Sequence, residues 1–592
     1  MRRLLVVGIS ALCLLACVTA TNAPAQISAS NSAAATEIIY ADLLDAYGAF
    51  SAIDSGLIKS YDGKDRQAWE AIYHEKRDAL VAQLSRLPAN GLSKNDARAA
   101  VLMRASLSDF PADASTLSPA SRCKNAQNTD LAYDALRAAL YSCFDELANN
   151  LQFEGATVNR VSAFSLLEQI KEPERRKSLF LAFNPLWEAV NAKDQPDSPY
   201  RRMIRMASAE AAKHQATKQG SAITAAADSL GVQSLDVETW LEQILDTWRQ
   251  VSGDTPVEPW DYRYIGGETG RLVDGAIPRE SLQRISERYY HDLGADLTDL
   301  GVLYDLDPRP GKAPLAYTDL LRCGRMINGV WRPAIARVSA NYGRGGFSNL
   351  SELVHEQGHA VHFVAVRARP AFTYPDSLLF IEAFADVPSW SVYEPAWQQK
   401  YLGTSASPSA SLRNLYSGVM LDVAWALFEI RMLHNPAADP SAVWTEITSR
   451  YLHVVPHPEY SWWAVRVQLM DSPGYMVNYG LGAVITADIR QRIRQSLGPF
   501  ETGDPRWYSW ISQRLLRVGG EFETAALLRQ FLGRAVSPQA LIDDMRRLAR
   551  RSEAPAGFQF GFAGAVSISW GNDLKATSRD FDDVFLLGSV PY

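Results

Sequence analysis

Apolar residues recur at helical spacing along most of this chain. Amphipathic runs rich in Leu, Ala, Arg and Glu predict helices near 37–55, 66–87, 93–108, 129–151, 161–192, 200–230 and 235–251. Breakers such as Pro88-Ala-Asn-Gly91 and Gln195-Pro-Asp-Ser-Pro199 separate them. Ser252-Gly-Asp-Thr-Pro256 reads as a boundary before a second half, and the Ser- and Pro-rich stretch 403–411 as a surface loop. The last forty residues leave this pattern. Gly557-Phe-Gln-Phe-Gly-Phe562 and Val566-Ser-Ile-Ser-Trp570 alternate as strands do, which predicts either a small β appendage or a disordered tail. The fold class is mostly α.

One helical stretch carries chemistry. Leu350, Leu353, Val354, Val361 and Val364 mark its buried face, and Asn349 with Glu352 reads as a capping pair at its start. Between them stands His355-Glu-Gln-Gly-His359. Two histidines four apart share a helix face, so both imidazoles can reach one metal ion. Glu356 projects toward the same cleft, where it can take a proton from water that zinc has acidified. The chain has only nine histidines, which makes a chance match uncommon. Downstream, Phe380-Ile-Glu382-Ala-Phe-Ala-Asp386 is again helix-compatible, with two carboxylates four apart among apolar neighbours. Carboxylates in such a setting are costly without a cation. Glu382 is assigned to the metal, and Asp386 to a hydrogen bond that fixes a ligand histidine.

These residues resemble the thimet oligopeptidase family of zinc metallopeptidases, with a likeness to angiotensin-converting enzyme and bacterial peptidyl-dipeptidases. His355-Glu-Gln-Gly-His359-Ala-Val-His362 is similar to the family's HEFGHxxH helix, and Phe380-Ile-Glu-Ala383 to its FVEA element. A second register aligns Phe384-Ala-Asp-Val-Pro-Ser389 with FVEAPS and puts Asp386 on the metal. Glu258-Pro-Trp-Asp-Tyr262 resembles the WDxxY segment, and Tyr304-Asp-Leu-Asp-Pro-Arg309-Pro-Gly-Lys312 the FDLYPREGK turn. Val338-Ser-Ala340-Asn341-Tyr342 sits where the family has an edge strand that pairs with substrate backbone, which implies substrate contacts at Ala340 and Asn341. Ser472-Pro-Gly-Tyr475-Met-Val-Asn-Tyr479-Gly is similar to the run GGYxxxYYGY. By that likeness Tyr475 and Tyr479 donate hydrogen bonds to the oxyanion. The family's histidine before this run has no counterpart, since Met470 stands near its place, and His453 or His457 would be the substitutes. The likeness runs from about residue 255 to 550. It implies a two-lobed helical molecule with a deep cleft, a small β-element near the zinc helix, one Zn2+ and oligopeptide substrates. Two other readings stay open: a peptidyl-dipeptidase releasing C-terminal dipeptides, and a catalytically silent peptide-binding lipoprotein.

The N-terminus reads as an export signal. Arg2 and Arg3 precede an apolar run too short to span a bilayer, ending in Leu14-Leu-Ala-Cys17, which resembles a lipobox. The expected organisation is signal peptide 1–17, flexible tether 18–36, helical region 37–250, catalytic domain 251–552 and tail 553–592. A bacterial periplasmic or Cys17-anchored protein follows, with ordinary secretion as the alternative. Export favours disulfides: Cys123 and Cys143 can pair, leaving Cys323 free. A net charge of −7 argues against nucleic acid as a partner.

Overall fold

A computed structural model describes residues 23–553 apart from 55, 89, 110–121, 193–194, 217–221 and 310–315. The expected signal peptide and the strand-like tail beyond 553 lie outside the described residues. The N-terminal helices are α1 (Ala23–Asp54), α2 (Arg66–Arg86), α3 (Lys94–Ala105) and α4 (Tyr133–Ala148). A two-stranded hairpin, β1 (Leu151–Phe153) with β2 (Ala156–Val158), interrupts them. The run expected at 161–192 is three helices, α5 (Arg160–Gln169), α6 (Pro173–Leu181) and α7 (Asn184–Asn191). Pro173 explains the first break, because its ring excludes a helical Glu172 and suits the start of a new helix. Then come α8 (Pro199–Ala216), α9 (Ser234–Val251) and α10 (Leu282–Asp292).

Two expectations are corrected here. The tether placed over 18–36 is helical from Ala23 onward: Ala33 and Thr36 are buried, and Glu37 accepts hydrogen bonds from Arg369 and the Ala371 N–H. An alanine-rich segment favours helix, and tertiary contacts hold it. The boundary placed after residue 250 is not a gap in packing either. One buried apolar cluster runs from Ala33 to Ala549, in which the ring of Tyr200 of α8 packs tilted against Trp463 of the second half, centroids 4.4 Å apart. Among the described residues, no helix is long and apolar enough to cross a membrane.

The small β-element follows. β3 (Val302–Asp305), β4 (Tyr317–Arg322) and β7 (Ile335–Ser339) form one sheet, with β5 (Arg325–Ile327) and β6 (Val330–Arg332) as a separate hairpin. β7 lies in the middle, parallel to β3 and antiparallel to β4. The segment expected at an edge is therefore central, and β4 is an outer strand. α1 lies against β4: a side chain at Gly48 would stand 2.3 Å from the Leu320 carbonyl oxygen.

Beyond the sheet run α11 (Phe347–Ala365), α12 (Leu378–Ser389), α13 (Pro408–His434) and α14 (Met476–Leu497). All five predicted face residues of α11 are buried, so the face is continuous. Its capping differs from expectation. The Phe347 N–H donates to Asp274 at 2.7 Å, while Asn349 donates to the carbonyls of Arg344 and Gly345. A carboxylate from a distant segment thus replaces the local capping pair and complements the helix's positive end. Gln357, fully buried, donates to Ser286 at 2.8 Å and Tyr304 at 3.1 Å, fastening α11 to α10 and β3.

α11 and α12 touch backbone to backbone. A Cβ on Gly358 would meet the Ala385 Cα at 2.8 Å and its carbonyl oxygen at 2.9 Å. Thr486 of α14 donates to the Ala383 carbonyl at 2.9 Å and holds α12 from its other side. The helices have no room to part without disturbing packed neighbours. Gly358→Ala should therefore cost about 1–3 kcal/mol by overpacking and weaken zinc binding, checked by urea unfolding and by chelator competition.

Candidate metal centre and active site

The contact at Gly358 sets one turn of α12 opposite one turn of α11. His355 and His359 direct their Nε2 atoms to one point, 3.1 Å apart. Glu382 Oε2 lies 3.5 Å from each of them. Zinc bound tetrahedrally at about 2.0–2.2 Å sets its donors about 3.3–3.6 Å apart. The triangle of two imidazoles and one carboxylate therefore has the chemistry and the spacing for this ion. Asp386 stands on the other side of His355, its Oδ1 2.8 Å from Nδ1, and itself accepts from Ser389 at 3.2 Å. With Nδ1–H donating to Asp386, the His355 Nε2 lone pair points at the triangle.

The electrostatics agree. Burial works against charge on His355, but Asp386, Glu382 and Glu356 outweigh it and hold its pKa well above the ordinary value. Burial likewise opposes a charged Glu382, yet hydrogen bonds and fields from the two histidines hold its carboxyl below the usual range. In both cases the neighbours favour charge where desolvation alone would not. His362 differs. Fully buried against Phe380 and Phe384, it is pushed down to about 3 by desolvation and then by His359, so it packs as a neutral ring.

Glu356 faces a cleft of about 820 Å³ that is also lined by His359, Glu382 and residues 316–320 of the β4 segment. The Thr318 hydroxyl lies 2.8 Å from Glu356 Oε2 and 2.8 Å from the Glu356 carbonyl oxygen. Nothing in the sequence singled out Thr318. Its only advance signal was a β-branched polar residue in an otherwise strand-like run.

Ala340 and Asn341 are placed differently from expectation. The Ala340 N–H donates to the Asp305 carbonyl at 2.8 Å, and Asn341 Oδ1 accepts from the Arg309 N–H at 3.2 Å. Both groups are used inside the protein, because β7 is flanked on both sides. Residues 317–320 of β4 occupy the cleft wall instead.

Tyr475 stands just before α14 and Tyr479 in its first turn, with rings 5.9 Å apart. Burial raises both hydroxyl pKa values and the Glu382 carboxylate adds to it, so its field reaches both tyrosines. Gln468 donates to the Tyr479 oxygen at 3.0 Å, leaving its proton free to be donated elsewhere. Neither candidate histidine joins them. His457 is clasped by Glu258 at 2.9 Å and Glu459 at 2.7 Å, and His453 contacts the Arg249 carbonyl.

A second residue escaped the sequence reading. Glu429 of α13 is fully buried and accepts the Met476 N–H at 2.8 Å, fixing the turn that presents Tyr475. Desolvation pushes its carboxyl up to about 8, against the opposing bonds from Gly474 and Met476. Because the folded-state pKa is raised, the protonated carboxyl favours folding below about pH 4.5, and this contribution is lost as pH rises through about 8. Stability of the wild type should fall across that window, by up to about 1.4 kcal/mol per pH unit. Glu429→Gln should flatten the slope, as read from urea midpoints at several pH values.

Comparison with known proteins places this geometry. The sequence profile of peptidase family M3 matches residues 299–547, which contain α11, α12 and α14. No curated protein matches the sequence. Among solved structures, a carboxypeptidase from Pyrococcus furiosus is 14% identical, with a TM-score of 0.52 over 88% of this chain and 99% of its own. A protein assigned as oligoendopeptidase F is 15% identical, with a TM-score of 0.52 over 87% and 97% of the two chains. Metallocarboxypeptidase 1 of Trypanosoma cruzi is 14% identical, with a TM-score of 0.50 over 88% and 99%. At such identities these likenesses establish the fold alone. Joined with the profile match over residues 299–547 and the His355-Glu356-His359 group, they support a zinc metallopeptidase whose catalytic region is similar to peptidase family M3.

Proposed function

We propose that the protein hydrolyses peptide bonds in short oligopeptides, with His355, His359 and Glu382 holding the zinc and Asp386 orienting His355. The convergence of two Nε2 atoms and the Glu382 carboxylate within 3.1–3.5 Å carries this reading. Zinc supplies Lewis acidity and lowers the pKa of water. Glu356 then takes the proton of the attacking water and delivers it to the leaving amine. Thr318 keeps the Glu356 carboxylate turned toward the cleft. Tyr475 and Tyr479 donate to the oxyanion, an assignment supported by their place beside Glu382 and by the Gln468 bond, which orients the Tyr479 hydroxyl. An extended substrate fits alongside residues 317–319 on the cleft wall, adding to the outer strand.

The same proposal places the protein outside the cytoplasm, exported by residues 1–17 and held by a lipid on Cys17. Support comes from the Cys123–Cys143 disulfide, which suits an oxidising compartment. Cys323, by contrast, is buried and free.

A mixed peptide pool incubated with the zinc-loaded chain should give new fragments by mass spectrometry. Glu356→Gln should keep the zinc and lose about a hundredfold to ten-thousandfold in rate. Tyr479→Phe should lose about a hundredfold in kcat with little change in KM. Equal cleavage by wild type and Glu356→Gln would remove the glutamate from this role.

A further inference from the structure

The peptidase reading leaves the hairpin β5–β6 without a role. Asn328-Gly329 joins its strands, both with positive φ (51° and 79°), as a tight two-residue turn requires. In the register Ile327 stands opposite Val330, Met326 opposite Trp331 and Arg325 opposite Arg332. Residues opposite one another share a face, so each face of the tip carries an apolar pair. A hairpin lying on a core buries one face and turns the other to water. At its tip this one buries neither face fully: Val330 is 70% exposed, Met326 52% and Ile327 41%.

The base of the hairpin, by contrast, is fastened. Arg325 pairs with Asp42 at 2.7 Å and Arg332 with Asp45 at 2.6 Å, both acids on α1. Asp45 also accepts the Cys323 N–H at 2.9 Å. The apolar tip is therefore presented at a fixed place. Cations stand behind it. Arg322, the last residue of β4, donates to the Pro333 carbonyl, and Arg367 lies 5.3 Å over the Trp331 ring. Among the described residues neither has a carboxylate partner. Apolar side chains at a tip, an indole at its flank and arginines behind it fit the boundary of a bilayer. There the apolar groups enter the acyl region and the cations meet phosphate headgroups. A second copy meeting this one tip to tip would instead set arginine against arginine.

We infer that the β5–β6 hairpin docks the protein on an anionic lipid surface, with Met326, Ile327 and Val330 inserted and Arg322 and Arg367 on the headgroups. β4 forms part of the cleft wall, and two residues separate it from the hairpin, so docking also fixes how the cleft faces the bilayer. The contact is independent of the lipid proposed at Cys17 and of peptide hydrolysis.

The chain from residue 18 onward retains every described residue, and with them the buried cluster that begins at Ala33. Its sedimentation with vesicles of mixed phosphatidylglycerol and phosphatidylcholine, against phosphatidylcholine alone, measures docking without any acyl chain on the protein. Binding to the mixed vesicles is expected, and salt should weaken it. Met326→Gln, Ile327→Gln and Val330→Gln together should lower it about tenfold or more. Arg322→Gln and Arg367→Gln should each lower it about fivefold. Cleavage of a short soluble peptide should be unchanged in all of them. Val330→Asp alone, at the most exposed of the three apolar positions, should give the same loss of binding and serves if the triple variant does not fold. A wild-type chain that stays in solution with the mixed vesicles, or binding that the tip substitutions leave unchanged, would overturn the inference. A dimer that Val330→Asp abolishes, without vesicle binding, would overturn it in favour of a second copy.

Discussion

The active centre depends on how closely two helices can approach. Gly358 has no side chain where Ala385 crosses it, so the backbones of α11 and α12 meet. A carboxylate on the second helix can then reach two imidazoles on the first. One methyl group at this crossing would separate the donors by more than a metal site tolerates, since coordination distances are fixed within tenths of an ångström. Around the crossing the protein adds restraints: Gln357 to Ser286 and Tyr304, Tyr290 to the Val354 carbonyl at 2.6 Å, and Thr486 to the Ala383 carbonyl. The proposed metal ligands are thus held by helices that are themselves held, which is what a site of defined geometry requires.

Charge is arranged outward from that crossing. Glu382 and Asp386 favour positive charge at His355, and the same Glu382 acts on Tyr475 and Tyr479. Glu429, fully buried, accepts the Met476 N–H and fastens the turn that presents Tyr475.

The sequence made the helices legible because their apolar faces repeat every three to four residues. Four of the seven expected runs became single helices with ends within a few residues; 37–55 belongs to a helix that begins at Ala23, 161–192 is three helices, and 200–230 holds the helices Pro199–Ala216 and Ala222–Asp228. The local spacing in His355-Glu-Gln-Gly-His359 and Glu382-x-x-x-Asp386 likewise announced which side chains share a face. What stayed hidden depended on contacts between distant segments. Asp274 caps α11 across more than seventy positions, Thr318 reaches Glu356 from another element, and strand order alone decided that β7 is central and β4 outer. Periodicity carries no information about strand order. Glu429 looked like one more polar residue on a long helix, and only burial reveals it.

The division of labour between the two carboxylates of α12 is the central claim, and metal binding tests it most directly. Zinc stoichiometry and affinity would be measured for the wild type, Glu382→Gln and Asp386→Asn. One zinc per wild-type chain is expected, with Glu382→Gln losing most of its affinity and Asp386→Asn about tenfold to a hundredfold, as for partners that orient a ligand. Loss of the metal from Asp386→Asn, with Glu382→Gln still loaded, would contradict the account and move the third ligand one helical turn along.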